Sequence, residues 1–186
     1  MHTLSLFKTE PSDTLAWPQT NEHLSPDSPA KLVVADFKEH APYRLSAATP
    51  ALSILPLLKQ SHVHAALVTD SNERFCGLIT RDNVSEARLL QIVASGTPRE
   101  DIIAADCMQP RNTLHSVAFE ELQRAKVKDV LETLRASGQQ HCLVTDQKSH
   151  EIRGLISALD IAELLHLEVN IARPATFAEL SRILAA

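Results

Sequence analysis

Apolar side chains recur along the chain at two spacings, and their order repeats. Ala51, Ile54, Leu55 and Leu58 stand at i, i+3, i+4 and i+7, and Val127, Val130, Leu131 and Leu134 do the same. That spacing puts four apolar residues on one face, so each segment predicts an amphipathic helix turned towards a core. Each stripe is followed by an unbroken apolar run, over 65–69 and 141–145, then by a polar turn and a second run closing in Thr80 or Ser157. Two runs of strand length joined by a short polar loop predict a hairpin. A further helix is expected after each hairpin, over 81–94 and 158–167. Phe177, Leu180 and Leu184 predict a last helical segment over 176–184. Pro50 suits a first helical position, whereas Pro56 removes an interior hydrogen bond and predicts a kinked or shortened helix.

The repetition extends to the residues themselves. Leu67-Val68-Thr69-Asp70 recurs as Leu143-Val144-Thr145-Asp146, and Gly77-Leu78-Ile79-Thr80 as Gly154-Leu155-Ile156-Ser157. The offsets are 76 and 77 residues. Upstream, Ala35-Asp36-Phe37 answers Ala105-Asp106-Cys107 at an offset of 70, which implies an insertion of about six residues in the stretch 118–124. The expected fold is α/β, with two tandem β-α-β-β-α units related by a pseudo-two-fold axis. An irregular arm occupies 1–30, where Pro11, Pro18, Pro26 and Pro29 break any period and Phe7 and Trp17 offer apolar anchors. The first repeat then covers 31–95, the second 96–170, and a C-terminal helix 171–186.

Composition narrows the function classes. Apolar residues make up 44% of 186 but aromatics only 4%, so the core must be built mainly from Leu, Val, Ile and Ala. The net charge of −5 argues against a general nucleic-acid partner, since no basic face is evident. Cys76, Cys107 and Cys142 are odd in number and far apart, which reads as buried thiols in a reducing compartment. No run approaches the roughly 18 apolar residues of a membrane span. A soluble, cytoplasmic protein without a membrane partner is expected.

The candidate chemistry sits where each hairpin ends. A hydroxyl at the strand end and a carboxylate three residues later converge on one spot at a helix start. Such a pair can accept hydrogen bonds from a ribose diol, while the helix N-terminus favours phosphate. Glycine at the head of the motif lets a neighbouring backbone approach closely. The same spacing is that of a capping box, in which side chains satisfy backbone donors instead.

These features together resemble a tandem pair of CBS domains, the regulatory repeat named for cystathionine β-synthase. The resemblance spans about residues 31–170 and rests on the helix–hairpin order, the Val-x-Asp strand ends, and Gly-apolar-apolar-Thr/Ser-x-x-Asp. Gly154-Leu155-Ile156-Ser157-Ala158-Leu159-Asp160 fits that motif in full, whereas Gly77-Leu78-Ile79-Thr80-Arg81-Asp82-Asn83 carries Asn in place of the acid. The segment from Ala105 to Pro110 looks like the family's lead-in to a repeat.

The resemblance implies a non-catalytic sensor that needs no cofactor and binds AMP, ATP or S-adenosylmethionine as a regulatory ligand between the repeats. It would associate as a homodimer and act on an effector in another chain; the alternative is a structural dimerisation module without a ligand. Ser157 and Asp160 are the first candidates for ligand contact. Thr80 and Asn83 form the weaker counterpart, with capping the stronger reading there. Arg81 and Arg153 flank the motifs as phosphate candidates, and His64 and His141 stand at the strand starts for base or phosphate contacts. His62-Val63-His64 offers two imidazoles on one strand face but no third ligand nearby, so no metal site is expected. The sequence also offers no nucleophile–base constellation or glycine-rich phosphate loop, which speaks against an enzyme.

Overall fold

The structure, a computed structural model, describes residues 24–165 together with Ser12. Its first half contains β1 (Ala35–Asp36), β2 (Arg44–Ser46), α1 (Ala51–Gln60), β3 (Ala65–Thr69), β4 (Phe75–Thr80) and α2 (Glu86–Ala94). Its second half contains α3 (Ala104–Cys107), β5 (Gln109–Pro110), β6 (Ser116–Ala118), α4 (Phe119–Leu122), α5 (Val127–Ser137), β7 (His141–Asp146), β8 (Glu151–Ser157) and α6 (Ala158–Leu164). The predicted helix over 176–184, and the anchors Phe7 and Trp17, lie outside the described residues.

Two four-stranded sheets form, in the orders β2-β3-β4-β5 and β1-β8-β7-β6. The first strand of each repeat is β2 or β6, which lies parallel to β3 or β7, and the expected hairpins supply the antiparallel pairs. The outer strand of each sheet comes from the other half of the chain. β1 pairs antiparallel with β8, and β5 pairs antiparallel with β4. The segments leading into these strands are exchanged as well. Ala30 and Val33 fill the core of the second repeat, and Ile102, Ala104 and Cys107 fill that of the first.

This exchange corrects one alignment read from the sequence. By their pairing, Ala35 answers Gln109, 74 residues on, and not Ala105. The shared Ala-Asp tripeptides are therefore not structural equivalents. The insertion does fall in the expected stretch, where the connection before α5 carries the extra turn α4, but it is shorter than expected. Residues 47–50 join β2 to α1, and residues 119–126 join β6 to α5, a difference of four.

Strand composition follows from position. β3 and β7 lie in the middle of their sheets and are covered on both faces, hence their continuous apolar runs. Ala66 and Val68 point into the first core, and Leu67 points the other way to meet Leu78 and Leu143 in a third apolar cluster shared by the repeats. The helical stripes behave as their spacing predicts: Val127, Val130, Leu131 and Leu134 are all buried. Each such burial contributes about 1.5–3 kcal/mol.

Local chemistry explains the turns and ends. Asp70 and Asp146, which close the Val-x-Asp runs, accept backbone N–H groups from the turn that follows, Asp70 from Asn72 and Arg74 and Asp146 from Lys148 and Ser149. Helix α1 runs on through Pro56 to Gln60, so it is not shortened, and Pro50 is its N-cap residue, not the first helical one. His62 then adopts a left-handed φ of 52°, as Gly138 does after α5, so it lies in a turn and off the strand. The end of the arm is held too: Ala30 N–H donates to Ala125 and Val127 N–H to Ser28, while Asp27 accepts from both Lys126 and Lys128. Of the thiols, Cys107 and Cys142 are buried and Cys76 is half-buried; all three are free. Burial pushes the Cys142 thiol up to about 11. Among the described residues, no helix is long and apolar enough to cross a membrane.

Candidate functional site

The two Gly-x-x-hydroxyl motifs adopt different local structures. In the second repeat α6 starts directly after β8, with Ser157 as its N-cap, and the Ser157 hydroxyl accepts the Asp160 N–H at 3.3 Å. Ser157 is buried, 2% exposed, and sits opposite His141 in the β7–β8 ladder. In the first repeat the expected helix over 81–94 begins only at Glu86, because Asp82–Val84 forms a 3₁₀ turn and Ser85 caps α2. Asn83 reaches back instead. Its Oδ1 accepts from the Thr80 N–H at 2.8 Å and from the Thr80 hydroxyl at 2.9 Å. Its acceptor oxygen is therefore occupied locally, as the capping reading anticipates.

Asp160 does not fold back in this way. It faces the first repeat, where His64 stands just ahead of β3. His64 Nε2 lies 3.0 Å from Glu163 and 3.7 Å from Asp160, and the imidazole is only 14% exposed. His64 Nδ1 is buried without a hydrogen-bond partner, as are His141 Nε2 and Arg81 Nε. Arg81 donates through Nη2 to the Val63 carbonyl at 3.4 Å. The strand starts and helix starts of the two repeats thus meet at one seam, which brings together Ser157, Asp160, His64, His141 and Arg81.

Electrostatics within the seam follow from burial. His141 is held down to about 4, mainly by desolvation and further by the neighbouring His64, with Asp82 acting in the opposite sense. It is therefore neutral at pH 7. Desolvation also raises the Asp160 carboxyl, and Glu163 adds to the rise, while His64, Ser157 and Arg81 oppose it.

Arg153 belongs elsewhere. Its guanidinium donates to both oxygens of Asp36, at 3.0–3.4 Å, and lies 3.5 Å over the Phe119 ring. It clamps the exchanged strand β1 to β8 and to the extra turn α4. Hydrogen bonding from Arg153 lowers the Asp36 carboxyl. Arg153→Met keeps the aliphatic stem and removes the charge, and is expected to cost about 2 kcal/mol at pH 7. The pair's contribution is present above the ordinary carboxylate range and is lost as pH falls through the depressed value of Asp36. Urea midpoints at pH 7 and at pH 3 check this: an equal loss at both would contradict it.

Glu163 is the residue that sequence reading missed. It stands one turn from Asp160 on α6 and shares its face. Two cavities lie outside the seam, both against α4. One, of about 370 Å³, is lined by Glu120, Glu121, Arg124 and Ala125. The other, of about 80 Å³, runs under α4 and α5 to Cys142 and Ile156.

Comparison with known proteins agrees with the fold. Residues 34–90 match the family model of the CBS domain, on the repeat whose motif carries Asn83. No curated protein matches the chain. Among solved structures, an uncharacterised conserved protein from Pyrococcus horikoshii superposes with a TM-score of 0.54 at 16% identity, covering 75% of this chain and 93% of that one. CBSX2, solved in complex with AMP, gives 0.51 at 17% identity over 78% of this chain and 99% of that one. A conserved CBS domain protein of unknown function from Thermoplasma acidophilum gives 0.51 at 14% identity, over 80% and 75% of the two chains. Residues 34–90 thus match the CBS domain by sequence, and the paired repeats share the fold of these solved structures.

Proposed function

We propose that the protein is a non-catalytic regulatory module that binds an adenosine-containing ligand of the AMP, ATP or S-adenosylmethionine class at the seam between its repeats. The observation that carries this reading is the contrast between the two motifs. Asn83 Oδ1 accepts from both the Thr80 N–H and the Thr80 hydroxyl, whereas the Asp160 carboxylate lies beside His64 of the other repeat. A carboxylate in that position can accept from two vicinal hydroxyls, and buried His141, neutral and with an unpartnered Nε2, stands beside Ser157 to meet a base edge. The AMP complex of CBSX2, which shares the fold, supports the ligand class. Ligand binding would act by differing affinity for two states of the module or of its effector.

A thermal-shift series with AMP, ATP and S-adenosylmethionine tests this. A ligand at 100 times its dissociation constant should stabilise the fold by about 2.7 kcal/mol. Asp160→Ala is expected to lose roughly tenfold or more in affinity, and Asn83→Ala to change little. Binding that survives Asp160→Ala but disappears in Asn83→Ala would sink the assignment. A second reading, self-association as a homodimer, is favoured by Leu52, Leu90 and Leu164, each about half exposed on α1, α2 and α6. Sedimentation of the full chain with and without ligand separates the two.

A further inference from the structure

We propose that His64, Asp160 and Glu163 form a binding site for a divalent transition-metal cation of the zinc class, spanning the two repeats. Their ligand atoms all lie within 4.8 Å of one another. His64 Nε2 is 3.0 Å from the Glu163 oxygen and 3.7 Å from that of Asp160. A tetrahedral cation with bonds of about 2.0–2.2 Å holds its ligand atoms roughly 3.4 Å apart. Small side-chain rotations therefore close the set around one ion. Asp160 and Glu163 are three residues apart on α6 and share a face, while His64 enters from the first repeat, ahead of β3. One imidazole and two carboxylates suit Zn²⁺ and related borderline cations, and three protein ligands leave a fourth position for water or another molecule.

The charges around the cluster favour a cation over a simple ion pair. Protonated His64 would bring one positive charge to two carboxylates, and the other cation acting on Asp160 is Arg81. A divalent ion brings two charges to the same oxygens. With a cation on Nε2, His64 keeps its ring proton on Nδ1, which is buried and has no acceptor. Absence of such outer support weakens metal sites by roughly 10–100-fold, so a labile site is expected and not a structural one. The two ligands that His64 lacks nearby in sequence, Asp160 and Glu163, thus come from the other repeat. His62 itself lies in the turn before His64 and is not part of the cluster.

The site shares Asp160 with the nucleotide reading but does not rest on it, because His64 and Glu163 are outside the Ser157–Asp160 pair. The test uses the full chain stripped with a chelator, titrated with Zn²⁺ against a chromophoric chelator, and separately with Co²⁺ for its visible spectrum. One ion per chain is expected. His64→Gln and Glu163→Gln should each weaken Zn²⁺ binding by roughly 30-fold and remove the Co²⁺ bands, with His62→Gln unchanged. Glu163 is 58% exposed, so its variant carries the test if His64→Gln does not fold. Zinc binding untouched in both variants, or none in the native protein at about 0.1 mM, overturns the proposal. The response to AMP, read in Glu163→Gln, reports separately on the nucleotide site.

Discussion

Replacing Gly77 with alanine is expected to destabilise the protein by about 3 kcal/mol, because the new methyl group would fall on the exchanged strand. A Cβ at Gly77 meets the backbone carbonyl of Gln109, and the Met108 sulfur lies 2.9 Å away. The carbonyl cannot move aside without parting β5 from β4, where Gly77 pairs with Pro110 and Leu78 with Gln109. Parting them would also disturb Ala104 and Cys107, which the same segment buries in the first core. For a chain of this size the cost corresponds to roughly 6–12 °C in melting temperature. Gly154→Ala should cost less, since its Cβ would stand 2.8 Å from the Ala35 carbonyl and 2.9 Å from a Val34 methyl, part of which is a movable side chain. Urea unfolding of both variants checks the order. A Gly77→Ala loss below about 0.5 kcal/mol would show that β5 does not lie where the pairing puts it.

Acidification provides the second large effect. The His141 imidazole has a folded-state value of about 4 against an ordinary 6.5. The unfolded chain therefore binds a proton between these limits and the folded protein does not. Stability attributable to this residue is intact above pH 6.5 and declines as pH falls to about 4, by up to about 3 kcal/mol. The raised Asp160 works in the opposite sense, its protonation favouring the folded state as pH falls. Chemical unfolding of the native protein and His141→Gln, compared at pH 7 and pH 4.5, isolates the histidine term. The native protein should lose more stability than the variant. Identical slopes would show that His141 is not held neutral by burial.

These two expectations differ in how far the sequence announces them. The glycines of both motifs are legible as points of close backbone approach, but the approaching backbone is not. Which strand comes near Gly77 depends on a crossover between halves of the chain, and β5 is two residues long with a proline in it. Nothing in so short a segment separates its own sheet from its neighbour's. The Ala-Asp-Phe and Ala-Asp-Cys likeness misled for the same reason: three matching residues weigh little where pairing, not identity, sets the register. The candidate site was partly legible. Ser157, Asp160, His64, His141 and Arg81 were each singled out and do converge. Glu163 carries no local signal, and Arg153 gives no hint of its partner Asp36, which lies 117 residues away in sequence.

The sequence alone determined the duplication, the helices and the hairpins. The helices and hairpins follow from periodicity and turn chemistry, which act over about ten residues or fewer, and the duplication follows from motifs that repeat in the same order. It also set the inequality of the two motifs, since Asn83 and Asp160 differ in charge whatever surrounds them. Only the tertiary structure decided that edge strands are exchanged, that Arg153 clamps Asp36, and that His64 of one repeat faces Asp160 and Glu163 of the other. Those features depend on through-space pairing between segments about 30 to 120 residues apart, and no local pattern encodes which distant partner a charged or edge residue will meet.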